Sequence, residues 1–111
     1  MKKSKGDIIM KILLCCKAGV TSNMFAAALK DEAAKQNLDV VVWAAAETAV
    51  EYSIDQADIV LVTPQLRSSM GKFEDLADSD TPVILISNED FTKFNAEKVL
   101  KEALEEKAKK A

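Results

Sequence analysis

Four apolar runs of strand length, separated by stretches with helical spacing, leave few folds open to this chain. The runs are residues 8–16, 38–44, 57–63 and 82–87. Each is nearly continuous rather than strictly alternating, which is the pattern of strands covered on both faces in a parallel sheet. Residues 22–36 are rich in Ala, Leu, Lys and Glu and place Phe25, Leu29 and Ala33 on one helix face. A short helix is expected over 47–54. Residues 65–77 carry Leu66, Met70, Phe73 and Leu76 at helical spacing, with Gly71 as a weak point. Residues 92–109 line up Ala96, Val99, Leu100, Ala103 and Leu104, with Lys107, Lys109 and Lys110 at the negative pole of the dipole. Strand and helix alternate four times. With right-handed crossovers this predicts an α/β fold, a three-layer α/β/α sandwich around one four-stranded parallel sheet. A single domain over residues 1–111, with a core from about 8 to 106, is expected, since 111 residues bury roughly two-thirds of their unfolded surface without staples.

In such a sheet, ligands bind beyond the carboxyl ends of the strands, where strand order reverses. The first run ends in Cys15 and Cys16 and passes at once into Lys17, Ala18, Gly19, Val20, Thr21, Ser22 and Asn23. A buried strand thus delivers a thiol into a small-residue turn, and Thr21, Ser22 and Asn23 can cap the helix that follows. Turn amides backed by a helix dipole favour an anion, so they favour a thiolate and cradle a phosphoryl group placed on it. The third run ends in Thr63, Pro64 and Gln65, which should converge on the same edge. Cys16 opens the turn and is the candidate nucleophile, with residues 17 to 22 as the cradle. Cys15 continues the apolar run and reads as a small hydrophobe. Gln65 is a candidate to brace the loop from the third strand.

Several chemistries are excluded. The chain has no histidine, so Cys–His dyads, Ser–His–Asp triads and histidine metal sites cannot be supplied in cis; no metal or other cofactor is expected. A phosphohistidine donor would have to belong to a partner. Cysteine phosphatases place an arginine six residues after the nucleophile; here that position is Ser22, and no arginine precedes Arg67. Adjacent cysteines do not make a thioredoxin motif, and Gly19 alone makes neither a dinucleotide nor a Walker loop. The formal charge of −3 with interspersed signs gives no nucleic-acid footprint. No run approaches a membrane span, and the N-terminal stretch is too short for a secretory signal. Two adjacent cysteines fit a reducing compartment, so a cytoplasmic location is expected.

A phosphocysteine loop without hydrolytic machinery suits a carrier. The segment from Ile12 through Cys15, Cys16, Gly19 and Thr21 to Asn23 resembles the active-site segment of the IIB components of the bacterial phosphoenolpyruvate-dependent sugar phosphotransferase system, lactose/cellobiose (chitobiose) type. Ala46-Glu47-Thr48 and the stretch from Ala57 to Gln65 match as well, and the similarity runs from about residue 10 to 106. The resemblance implies a fold like that of the low-molecular-weight tyrosine phosphatases. It also implies that Cys16 accepts phosphate from a histidine of a IIA partner and yields it to a sugar held by a membrane IIC partner, at the inner face of the membrane. Two departures stand out: the family usually has a lone cysteine, and relatives often carry an aromatic residue shortly after the Pro-Gln pair, where this chain has Leu66, Arg67, Ser68 and Ser69. The alternatives are a cysteine-loop phosphatase or arsenate-reductase relative, which the missing loop arginine opposes, and a non-enzymatic receiver-like binding domain. A receiver needs acidic residues where this chain has Cys15, Cys16 and Lys17.

Overall fold

The computed structural model describes residues 9–17 and 20–110, without the side chains of 20–22 and 110. Four strands, β1 (Met10–Cys16), β2 (Val40–Ala46), β3 (Ile59–Val62) and β4 (Val83–Leu85), form one sheet in the order β2-β1-β3-β4. Every neighbouring pair is parallel, with Leu14 beside Ala44 and Leu61. The expected α/β architecture is what the chain adopts. β1 and β3 occupy the middle, and Ile12 to Cys15 and Ile59 to Val62 are wholly buried. The edge strands are less covered, and Val41 on β2 is 47% exposed.

Side-chain alternation along the central strands divides the core in two. Ile12, Leu14, Ile59 and Leu61 pack with Phe25 and Leu29 of α1 (Val20–Lys35) and with Val99, Leu100 and Ala103 of α4 (Ala96–Lys110). Leu13, Cys15, Val60 and Val62 pack on the opposite face with Val50, Ile54, Leu66 and Phe73. That second layer is made of 3₁₀ turns at Glu47–Tyr52, Ile54–Gln56 and Pro64–Ser69, followed by α2 (Met70–Leu76). The arrangement follows from handedness. The chain moves one way across the sheet from β1 to β2 and the other way from β2 to β3 and on to β4. Right-handed crossovers therefore put α1 on one face and the later connections on the other. Strand order reverses between β1 and β3, so their carboxyl ends are where a ligand site is expected.

Four sequence expectations need correction. The helix expected over 47–54 is two 3₁₀ segments, because six- and three-residue pieces pinned between buried Val50, Ile54 and Ala57 never reach α-helical length. The helix expected over 65–77 opens as a 3₁₀ turn with Pro64 in its first turn and a kink at Leu66 (φ −106°, ψ 23°) before α2 begins. The first helix starts at Val20, so Thr21, Ser22 and Asn23 lie inside its first turn rather than capping it. The last helix is preceded by a separate α3 (Asn88–Thr92), started by the Ser87 hydroxyl accepting from the Asp90 amide at 3.1 Å.

Two residues with positive φ end helices. Asn37 (φ 58°) closes α1 through a hydrogen bond from the Leu38 amide to the Ala33 carbonyl at 2.9 Å, which aims the chain into β2. Phe94 (φ 53°) lies between α3 and α4, and its ring sits 6.1 Å from that of Phe25. The same corner holds buried Asp90, which accepts from Asn95 at 2.9 Å and pairs with Lys98 at 3.4 Å. The bond from Asn95, with help from Lys98 and Ser87, holds the Asp90 carboxyl below its ordinary range against the effect of burial.

Candidate functional site

The two adjacent cysteines part company because successive side chains on a strand face opposite ways. Cys15 points into the layer formed by Val62, Leu66 and Phe73 and is wholly buried. Burial, with a smaller contribution from Cys16 beside it, pushes the Cys15 thiol up to about 12. It is a core residue that stays protonated across the physiological range. Its carbonyl accepts from the Thr63 amide at 3.1 Å, the bond that closes the last pair of the β1–β3 ladder, Cys15 with Val62.

Cys16 continues the alternation of Ile12 and Leu14 and so lies on the face of the sheet that carries α1. It is the last residue of β1, stands beside Ala46 of β2, and is 4% exposed. Its Sγ donates to the Ala45 carbonyl at 3.6 Å. Lys17 follows, exposed. Ala18 and Gly19 lie outside the described residues, as do the side chains of Val20, Thr21 and Ser22, whose backbone opens α1. The first amides of that helix have no intrahelical partner, and no acidic residue stands in its first turn to neutralise them. The carboxyl end of β1 at Cys16 and the positive end of α1 at Val20 are therefore separated in the chain by residues 17–19 alone.

The neighbouring strands close the site from either side. β2 runs into Glu47, whose carboxylate accepts a hydrogen bond from the Ser69 hydroxyl at the end of the 3₁₀ turn that follows β3. That bond joins the two loops flanking β1. Gln65 is exposed and makes no side-chain hydrogen bond among the described residues; Arg67 is also exposed. Thr63, by contrast, is wholly buried, and its Oγ1 is without a hydrogen-bond partner among the described residues. Sequence reasoning placed Thr63 at this edge but gave its hydroxyl no task. Nor did it find the Glu47–Ser69 bond, which joins residues 22 apart with no local pattern to announce it.

A groove of about 570 Å³ opens elsewhere, between α2, the start of β4 and α4. Its lining includes Glu74, Asp78, Glu102, Glu105 and Glu106, a set that repels phosphate. Among the described residues, no helix is long and apolar enough to cross a membrane.

Comparison with known proteins gives a consistent result. The model of the family described as "PTS system, Lactose/Cellobiose specific IIB subunit" matches residues 11–102. The solution structure of a cellobiose-specific phosphotransferase IIB component from Borrelia burgdorferi is similar with a TM-score of 0.76 and 31% identity, over 93% of this chain and 95% of that one. The lactose-specific IIB component domain from Streptococcus pneumoniae is similar with a TM-score of 0.74 and 21% identity, over 89% of this chain and 98% of that one. At that identity the second likeness speaks for the fold alone. No curated protein matches the chain.

Proposed function

Because this chain belongs to the lactose/cellobiose-specific IIB subunit family of the sugar phosphotransferase system, we propose that it carries a phosphoryl group on Cys16. The donor is a phosphohistidine on a IIA partner, and the acceptor is a sugar bound by a membrane IIC partner at the inner face of the membrane. The observation that carries this reading is the placement of Cys16. It ends a central strand at the carboxyl edge where strand order reverses and has the parity of Ile12 and Leu14, whereas Cys15 packs in the core of the other face.

In the loading step Cys16 Sγ gives up its proton and attacks phosphorus. The S–P bond forms as the N–P bond to the partner imidazole breaks, and that imidazole leaves with a proton. The Sγ contact with the Ala45 carbonyl cannot survive, since a sulfur without its proton has nothing to donate. The sulfur then turns from that carbonyl toward the amides of residues 17 to 22, which hold the phosphoryl oxygens. Lys17 adds positive charge at the mouth, and Gln65 braces the loop after β3. In unloading, a sugar hydroxyl attacks phosphorus, the O–P bond forms as the S–P bond breaks, and the hydroxyl proton passes to the leaving sulfur, which restores the Cys16 thiol. The Glu47–Ser69 bond keeps the flanking loops fixed while the group passes.

Incubation with a phosphorylated IIA protein of the lactose/cellobiose class tests the reading. Cys16→Ser should accept no stable phosphate, whereas Cys15→Ala should be loaded to within about threefold of the parent, as a substitution away from the reacting atoms. Loading of Cys16→Ser at the parental level, or equal loss in both variants, overturns it.

A further inference from the structure

We infer that the Thr63 hydroxyl is a phosphoryl-binding group, held unpaired in the resting protein to donate to an oxygen of the phosphate on Cys16; the inference rests on the carrier reading above. The observation behind it is an anomaly. Buried hydroxyls are nearly always paired, because leaving one without a partner is costly. Thr63 is wholly buried, yet its Oγ1 has no hydrogen-bond partner among the described residues.

Its position says what the hydroxyl is for. Cys15 stands beside Val62 as the last pair of the β1–β3 ladder, with the Thr63 amide bonded to the Cys15 carbonyl at 3.1 Å, so Cys16 and Thr63 are the residues that leave that ladder together. Neighbouring strands lie about 4.8 Å apart, within reach of a phosphoryl group on the next side chain. Faces agree as well. Leu61 packs toward α1 and Val62 away from it, and Thr63 keeps an extended backbone (φ −70°, ψ 156°), so its side chain falls on the α1 face with Cys16. A threonine here could have capped the 3₁₀ turn that begins at Pro64, and it does not do so. On the other side of Cys16, the Ala45 carbonyl already takes the thiol proton. The resting sulfur is thus tied toward β2, while the unpaired Thr63 hydroxyl lies toward β3.

In the loading step the S–P bond forms at Cys16 as the N–P bond of the donor breaks, and the thiol proton leaves with the imidazole. Thr63 Oγ1–H changes partner only: it donates to a phosphoryl oxygen that was absent before, and no atom of Thr63 is transferred. A hydrogen bond made only in the charged, phosphorylated form shifts the loading equilibrium toward the carrier.

The test compares Thr63→Val, which keeps the shape and removes the hydroxyl, with Thr63→Ser, which keeps the hydroxyl. Each is equilibrated with a fixed ratio of phosphorylated lactose/cellobiose-class IIA protein, and phosphocysteine is read by ³¹P NMR. Thr63→Val should hold about tenfold less phosphate than the parent with a moved ³¹P resonance, as expected for losing one bond to a charged group. Thr63→Ser should stay within about threefold. The unphosphorylated Thr63→Val protein should melt at or above the parental temperature, since it loses an unpaired polar group. The inference is overturned if Thr63→Val loads like the parent, if both variants lose loading equally, or if Thr63→Val melts lower, which would mean that the hydroxyl was paired at rest. If the parent loads, Cys16→Ser does not, and Thr63→Val matches the parent, only this inference fails. Failure of the parent itself to load overturns the carrier reading and this inference together.

Discussion

Cys15 and Cys16 are both buried, and what separates them is strand parity. The run-then-turn pattern of the sequence reads Cys15 as a core residue and Cys16 as the residue that opens the turn; Cys15 is wholly buried and Cys16 is the last residue of β1. Parity supplies the physical reason: Leu13 and Cys15 pack on one face and Leu14 on the other, and Cys16 has the parity of Leu14. A measurable consequence follows at alkaline pH. The Cys15 thiol is raised from 9.0 in an exposed setting to about 12 in the fold, so the folded chain holds this proton where the unfolded chain has lost it. Its contribution to stability is complete below about pH 9 and is lost as pH rises from there toward 12. The ceiling on that loss is about 4 kcal/mol, from about 1.36 kcal/mol per pH unit. The stability of the parent relative to Cys15→Ala, measured by denaturant titration at a series of pH values, should therefore decline above pH 9. A constant difference between the two proteins from pH 7 to pH 11 contradicts this account. Thr63 was not legible at this scale. The sequence places it at the carboxyl edge, but only the packed structure reveals that its hydroxyl lacks a partner among the described residues.

At the scale of elements, the strands were legible in kind and position because buried parallel strands write themselves as continuous apolar runs. Their limits shifted, as β2 shows: it begins at Val40 rather than Leu38, since the Asn37 turn still holds Leu38 on the end of α1. The connections on the second face were less legible. In both a 3₁₀ and an α-helical turn residue i+3 returns to roughly the face of residue i, so the stretch 47–54 and Leu66 read as helical while belonging to 3₁₀ turns. α3 was missed although Ser87 and Asp90 carry the spacing of an N-terminal cap, because its five residues are too few for periodicity to register. Gly71 was read as a weak point and is one: it lies inside α2, exposed, with nothing within 4 Å of where a Cβ would sit. Gly71→Ala should raise stability by about 0.5–1 kcal/mol through backbone entropy, with no change in phosphate loading. A higher denaturant midpoint checks this; a lower one shows that the backbone at Gly71 needs glycine.

For the molecule as a whole, alternating strands and helices predicted a parallel sheet and a site at its carboxyl edge, and both the sheet and the meeting of β1 and β3 at that edge are observed. The order β2-β1-β3-β4 was not legible. It depends on which way the chain crosses after each helix, and that choice is made by packing between elements far apart in sequence, such as Phe25 of α1 against Phe91 of α3 at 5.3 Å. Given the order, the buried sheet fixes the end of β1 at the edge where the proposed phosphoryl site lies. The central claim is that phosphate resides on Cys16 and nowhere else. Fragmentation mass spectrometry of the intact chain, loaded by a phosphorylated IIA protein and kept away from acid, tests it most directly, because backbone cleavage between Cys15 and Cys16 assigns the group to one residue. The account predicts that every fragment beginning at Cys16 carries the phosphoryl mass and that no fragment ending at Cys15 does. Phosphate on Cys15, or on Thr21 or Ser22, would contradict it.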